Sequence, residues 1–254
     1  MTHKMSPLKF SKTACLFFVF ILLLSPIALA KDYDGLFFMG LNLQKDVFND
    51  VKVRRAINYA IDRKYIATKI MSEEVVPSGI IPPQMVGYNP SFESYKYNPT
   101  LAKKGIKEKM ELILLHTDGV KTIAIAEKIK KDLSNVGVKV KLKQVNYSDQ
   151  DKWEAELKSG RHHLFLMGYK SGFISASNEA LSKPNPIELI RALFGLNGEA
   201  NFTFFYDRRV ENLLNQLSET NESMKSLREA KLNEINKIIQ DESPTVNLFY
   251  IPKL

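Results

Sequence analysis

The apolar positions of this chain change period several times, and each change marks an element. Leu36 to Leu43 (LFFMGLNL) is an apolar, aromatic-rich run and predicts a strand. Asn49 or Asp50 can cap the next element, a helix. There Val53, Ala56, Ile57, Ala60 and Ile61 recur at the spacing that places side chains on one helical face. Asp62 offers a second cap, and Ile66 and Ile70 carry a short helix on a new axis. Met110 to Leu115 predicts a strand. Gly119 to Val136 predicts a helix with Ile125, Ile129, Leu133 and Val136 inward and Gly137 as its stop. Val138 to Lys143 alternates apolar and basic residues, the period of a strand with one buried face. Ser148 with Asp151 reads as a capping box opening a helix that holds Trp153 and Leu157 and ends at Gly160, before a strand at Leu164 to Met167. After Pro184 and Pro186 come a short helix with Leu189, Ile190 and Leu193, and a Gly/Asn loop. A helix capped by Asp207 comes next, then a longer one over 222–241 with Leu227, Leu232, Ile235, Ile238 and Ile239, and a last strand at Val246 to Ile251. Strand–helix–strand–helix–strand order between 110 and 167 implies parallel pairing through crossovers. The expected fold class is α/β, a mostly parallel sheet flanked by helices.

Two stretches break the pattern. Residues 75–99 contain Pro77, Gly79, Pro82, Pro83, Gly87, Pro90 and Pro99, which interrupt every period. Ile80, Ile81, Met85, Val86, Tyr88, Phe92, Tyr95 and Tyr97 make this stretch too apolar for a solvated linker, so it is read as an ordered loop. At the start, Lys4, Lys9 and Lys12 precede the apolar run Ala14 to Leu24. Pro26 breaks that run, and Ala28-Leu29-Ala30 has the small-x-small pattern of a signal-peptidase site. The run falls short of the roughly 20 residues that span a bilayer. Residues 1–30 are therefore read as a cleavable leader and 31–254 as the folded part, exported to the periplasm. Cys15, the only cysteine, lies at the head of the apolar run rather than after it, which argues against lipidation.

Composition narrows the chemistry. The formal charge is 36 − 28 = +8, and removing the three leader lysines leaves 33 − 28 = +5. Acids separate the basic residues, so no dense basic block points to nucleic acid. Without Cys15 the folded part can form no disulfide and no thiolate metal site. Its histidines are His116, His162 and His163. The adjacent pair precedes a strand and should point its rings to opposite faces, a poor geometry for one metal. G-x-S-x-G, H-E-x-x-H, Walker A and G-x-G-x-x-G patterns are all missing. No enzymatic activity, metal or cofactor is expected. Trp153 reads as a packing residue. Tyr169, Lys170 and Ser171 come directly after the strand 164–167, and ligands gather beyond the carboxyl ends of parallel strands.

Several segments together resemble the family 5 extracellular solute-binding proteins, receptors of the oligopeptide, dipeptide and nickel type. The strongest is NDVKVRRAINYAIDRKYI at Asn49 to Ile66, in which Arg54, Ala56, Ala60, Ile61, Asp62 and Arg63 all fit. Leu36 to Asn42 fits the preceding strand. Ile81-Pro82-Pro83, Gly87-Tyr88 and Tyr97-Asn98-Pro99 fit the loop, and Tyr206 to Leu214 and Asp241 to Tyr250 fit the end. The resemblance implies one lobe, the C-terminal one, of a periplasmic-binding-protein type II-like fold, truncated relative to the full two-lobed form. It implies a substrate-binding component of an ABC importer for peptides or similar small solutes, with an ABC permease and a separately encoded N-terminal lobe as further partners. It also places a ligand turn at Gly168, Tyr169, Lys170, Ser171 and Phe173. Peptide binders carry an aspartate in this turn. Here Lys170 or Ser171 stands near that position, which disfavours free-amine peptides because neither can pair with an ammonium group.

A single lobe should also leave Leu36, Phe37, Phe38, Met39 and Leu41, with the last strand Leu248 to Ile251, as an exposed apolar patch, unless loop 75–99 folds over it. Other classes remain open: a secreted interaction protein without a ligand, a secreted hydrolase for which no catalytic set is present, or a gene fragment without function.

Overall fold

The computed structural model describes residues 31–73, 75–106, 109–171 and 184–253. The expected leader lies outside these residues, as do Gly172 and Phe173 of the nominated turn.

Among the described residues five strands form one mixed sheet. β1 is Tyr33–Leu41, β2 Met110–Thr117, β3 Val138–Val145, β4 Leu164–Lys170 and β5 Thr245–Pro252, in the spatial order β3-β2-β4-β1-β5. β2 pairs in parallel with both β3 and β4. β1 pairs antiparallel with β4 on one side and β5 on the other. Four strands thus run the same way, and β1 is inserted against them.

Helices cover both faces. On one lie α1 (Val51–Ala60), α2 (Pro99–Gly105), α3 (Val120–Ser134) and a π turn at Ile66–Ile70. Their Ala56, Ile57, Ile66, Ile125, Ile129 and Leu133 meet Met39, Leu41, Leu112 and Leu114 of the sheet. On the other lie α4 (Gln150–Lys158), α5 (Pro186–Phe194), α6 (Arg208–Glu219) and α7 (Lys225–Glu242), over Leu36, Phe38, Leu115 and Phe165. β1 therefore splits its side chains between two cores, Leu36 and Phe38 to one and Met39 and Leu41 to the other. Gly40 falls where the Phe165 ring crosses the strand, and a Cβ there would overlap that ring.

The caps agree with the sequence, with one exception. Asp50, Asp62 and Asp207 each accept a backbone N–H of the next turn, and Gly137 stops α3 with φ of +91°. The helix expected to open on a Ser148–Asp151 box instead opens on Asp149, which accepts from Lys152 N at 3.1 Å, while the Ser148 hydroxyl is bonded to Asn146. Leu227, expected inward on α7, lies on its exposed side.

The expected apolar patch is not found. Leu36, Phe38, Met39, Leu41, Leu248, Phe249 and Tyr250 are buried, and only Phe37 and Ile251 are partly open. Loop 75–99 takes the place expected for a partner. Ile80, Ile81 and Met85 join the core of Leu36, Phe38 and Tyr250. The Tyr250 hydroxyl donates to Gly79 O at 3.0 Å, and Ile80 N donates to Asn236 Oδ1 at 2.9 Å. Val86 and Tyr97 of that loop remain exposed.

Candidate functional site

Because α3 and α4 lie on opposite faces, the chain leaves β2 for one side of the sheet and β3 for the other, the arrangement that opens a crevice at the carboxyl ends of strands. Asp118 bridges those two ends by accepting from Tyr147 N at 2.8 Å. β4 then makes a step beside them. Its register with β2 is Leu115 opposite Phe165, yet β2 stops two residues later at Thr117 whereas β4 continues to Lys170.

This corrects the expected end of β4. Gly168, Tyr169 and Lys170 are not a loop after the strand. They belong to it, held by β1 through the pairs Phe37–Gly168, Leu36–Tyr169 and Gly35–Lys170. The alternation of the strand then sorts the nominated residues. Gly168 is exposed, against Phe37 and Ile251. Tyr169 stands half-buried on the opposite face, over the core that Met167, Trp153 and Phe202 also flank. Lys170 Nζ is 3.1 Å from Asp34 Oδ1 and donates to Pro252 O at 3.0 Å. Ser171 is buried. Its N–H and hydroxyl both donate to Asp34 O, and its Oγ accepts from Asn185 N at 3.2 Å. Lys170 and Ser171 thus close the end of β4 against Asp34, while Gly168 is exposed and Tyr169 half-buried.

An acid does stand at the step, though not in the turn. The Tyr169 hydroxyl donates to Glu199 Oε1 at 2.6 Å, and Glu199, in the loop between α5 and α6, is exposed. Burial and the neighbouring carboxylate push the phenol up from its ordinary value, so it stays a proton donor across the physiological range. Nothing in the Gly/Asn-rich composition around Glu199 marks it as a partner of β4; only the fold brings the two together. The arrangement offers a carboxylate, a phenol and half-open apolar side chains.

The histidines do not converge. His163 Nδ1 accepts from Ile113 N at 3.2 Å, His116 Nδ1 lies 2.8 Å from Thr117 O, and His162 is buried with neither ring nitrogen in a well-formed hydrogen bond. Among the described residues no three His, Cys, Asp or Glu side chains gather as a metal-binding group.

The segment Asn49 to Ile66 holds elements together rather than lining the step. Arg54 Nε donates to Glu242 O at 2.6 Å, its Nη1 to Phe48 O at 2.8 Å, and its Nη2 pairs with Glu242 Oε2 at 3.1 Å. Asn58 Nδ2 donates to Thr245 O at 3.1 Å. These bonds clamp α1 onto the junction of α7 and β5.

Known proteins share this architecture. Residues 26–181 match the family model described as bacterial extracellular solute-binding proteins, family 5 Middle. A dipeptide-binding protein of Escherichia coli is 29% identical over 143 residues, covering 52% of this chain and 26% of that protein. The glutathione-binding protein GsiB of Salmonella typhimurium is 26% identical over 223 residues, covering 83% of this chain and 41% of that protein. The chain thus spans well under half the length of these curated relatives. Among solved structures, HbpA2 from Haemophilus parasuis superposes with a TM-score of 0.77 at 23% identity, over 88% of this chain and 44% of that one. The fold is one lobe of the type II periplasmic-binding architecture.

Proposed function

Because the chain belongs to the family 5 bacterial extracellular solute-binding proteins, we propose that it forms one wall of a solute-binding cleft serving an ABC importer in the periplasm, with residues 1–30 as its export leader. The observation that carries this reading is the step where β4 outruns β2, with Tyr169 and Glu199 at its face. A ligand there meets polar and half-buried apolar groups at the carboxyl edge of the parallel strands. A second lobe, from a longer polypeptide or a separate chain, closes over it, since cleft ligands have most of their surface enclosed.

The relatives named for a dipeptide and for glutathione suggest peptide-like solutes. Lys170 and Ser171 are occupied by Asp34, so the group that meets an ammonium is Glu199, through a charge-assisted hydrogen bond. Free-amine peptides are then favoured.

The test is a nuclear magnetic resonance titration of the full chain with glutathione, an unmodified dipeptide and the same dipeptide N-acetylated. Free-amine ligands should shift Met167 to Lys170 and Glu199, and N-acetylation or Glu199→Gln should weaken binding about tenfold or more, the effect of about 1.5–3 kcal/mol for a hydrogen bond to a charged group. Shifts confined to other surfaces, or equal binding by Glu199→Gln, would refute this site.

A further inference from the structure

Among the described residues Arg63 is a buried cation without a counter-charge. It is 6% exposed, and its Nε finds no partner. Nη2 donates to the Ser94 hydroxyl at 3.2 Å, a neutral acceptor already donating to Pro77 O. No ion pair with a described acid is formed, and the nearby phenols of Tyr250 and Tyr95 are kept protonated by burial and supply no negative charge. Burial lowers its pKa to about 10, so the guanidinium stays protonated at neutral pH. A protonated guanidinium taken out of water without a partner costs several kcal/mol, far more than one unmade neutral hydrogen bond.

The group does not face solid protein. A cavity of about 20 Å³ abuts it, lined by polar residues that include Asn58, Ser78, Ser94, Tyr95, Asn236 and Asn247, none of the lining side chains being acidic. About 10–15 Å³ holds one water, so there is room for one small body and not for a peptide or a carboxylate ligand. Several acceptors around the cavity are already used. Asn236 Oδ1 takes Ile80 N, Asn247 Oδ1 takes the Thr245 hydroxyl, and Gly79 O takes the Tyr250 hydroxyl. The Asn58 amide and the hydroxyls of Ser78, Ser94, Tyr95 and Thr245 already donate elsewhere. What remains is the positive charge of Arg63 with its free Nε, the side-chain amides of Asn236 and Asn247, and space for a single atom-sized occupant.

We propose that this cavity is an interior site for one monoatomic anion of chloride type, held by Arg63 with the side-chain amides of Asn236 and Asn247. A water could accept from Nε but would leave the charge uncompensated. A halide does both. The site is separate from the β4 step. It lies where loop 75–99 meets α7 and β5, so its occupant pins the loop that covers the core.

Two measurements test it on the purified protein. Thermal unfolding is followed in sodium chloride, sodium bromide and sodium gluconate at one ionic strength, and crystals grown in bromide are examined by anomalous diffraction. The midpoint should rise by a few degrees with chloride or bromide over gluconate, because a ligand bound only by the folded state stabilises it. Arg63→Met should abolish that response. Bromide should appear in the cavity within hydrogen-bonding reach of Arg63 Nε. The bromide map decides if Arg63→Met does not fold. A cavity holding only water, or equal midpoints in halide and gluconate, overturns the proposal.

Discussion

Lowering the pH from 7 to 5 should cost this fold about 2 kcal/mol through His162 alone. The ring is 2% exposed, packs edge-on to Phe165 at 5.3 Å, and neither nitrogen makes a well-formed hydrogen bond, the Glu156 backbone lying near it only as a weak partner. Burial therefore lowers its pKa from 6.5 to about 4. In the unfolded chain the imidazole takes up a proton near 6.5, whereas in the folded chain it resists until about 4. Between those values the unfolded state binds more protons, so stability falls as pH falls. Linkage with these two pKa values puts the loss between pH 7 and pH 5 at about 2 kcal/mol, rising to about 3 kcal/mol by pH 4. His163 adds to it with the same sign. Its pKa is lowered by burial, and its Nδ1 accepts from Ile113 N, which only an unprotonated nitrogen can do. Glu111, Glu156 and Asp207 are held below the usual carboxylate range by lysine or arginine partners, so their contribution is lost only at still lower pH. The assay is urea unfolding at pH 7, 6 and 5 for the natural chain and for His162→Leu. That variant keeps the backbone carbonyl that Asn42 uses and removes two poorly satisfied buried nitrogens, so it should be near neutral at pH 7 and lose about 2 kcal/mol less by pH 5. Parallel pH profiles for the two proteins would refute the argument.

Two further substitutions test the joints of the sheet. Asn42→Ala removes donors to Gly160 O and His162 O, both at 3.0 Å, and the acceptor of Gln44 N, so it should destabilise by about 2–4 kcal/mol in urea unfolding. Gly40→Ala forces the Phe165 ring aside and should cost about 1–3 kcal/mol, with Phe165→Leu in the same chain restoring part of the loss.

Legibility tracks locality. Asp50, Asp62, Asp207 and Gly137 act at the helix ends they mark, because a cap needs only neighbours within one turn. The β2-α3-β3-α4-β4 run is equally readable from its periods. The insertion of β1 against its neighbours is not, since Leu36 to Leu41 is apolar on both faces and carries no mark of direction. The length of β4 is hidden for a related reason. Gly168 to Lys170 has no strand-like composition and is extended by the ladder of β1. The Tyr169–Glu199 bond joins residues 30 apart in sequence, with α5 between them, and no local pattern foretells it. Arg63 sits inside the most recognisable segment of the chain, yet an arginine there looks like any surface arginine until loop 75–99 is laid over it.

The position of β1 also sets an order of assembly. Its partners are β4 and β5, with Tyr33 opposite Pro252 and Leu41 opposite Leu164, so among the described strands the earliest in sequence is paired by the latest. Nothing local can complete it. Leu36, Phe37, Phe38 and Met39 lie far in sequence from both partners and must wait unpaired while the intervening helices form, and closing so long a loop costs entropy before any contact returns it. The β2-α3-β3 unit, whose contacts are close in sequence, can form first and offer a template for β4. Until β4 arrives the waiting segment is a short aromatic strand with two bare edges, and until β5 arrives one edge stays bare, the kind of species that chaperones hold and that aggregates when they do not.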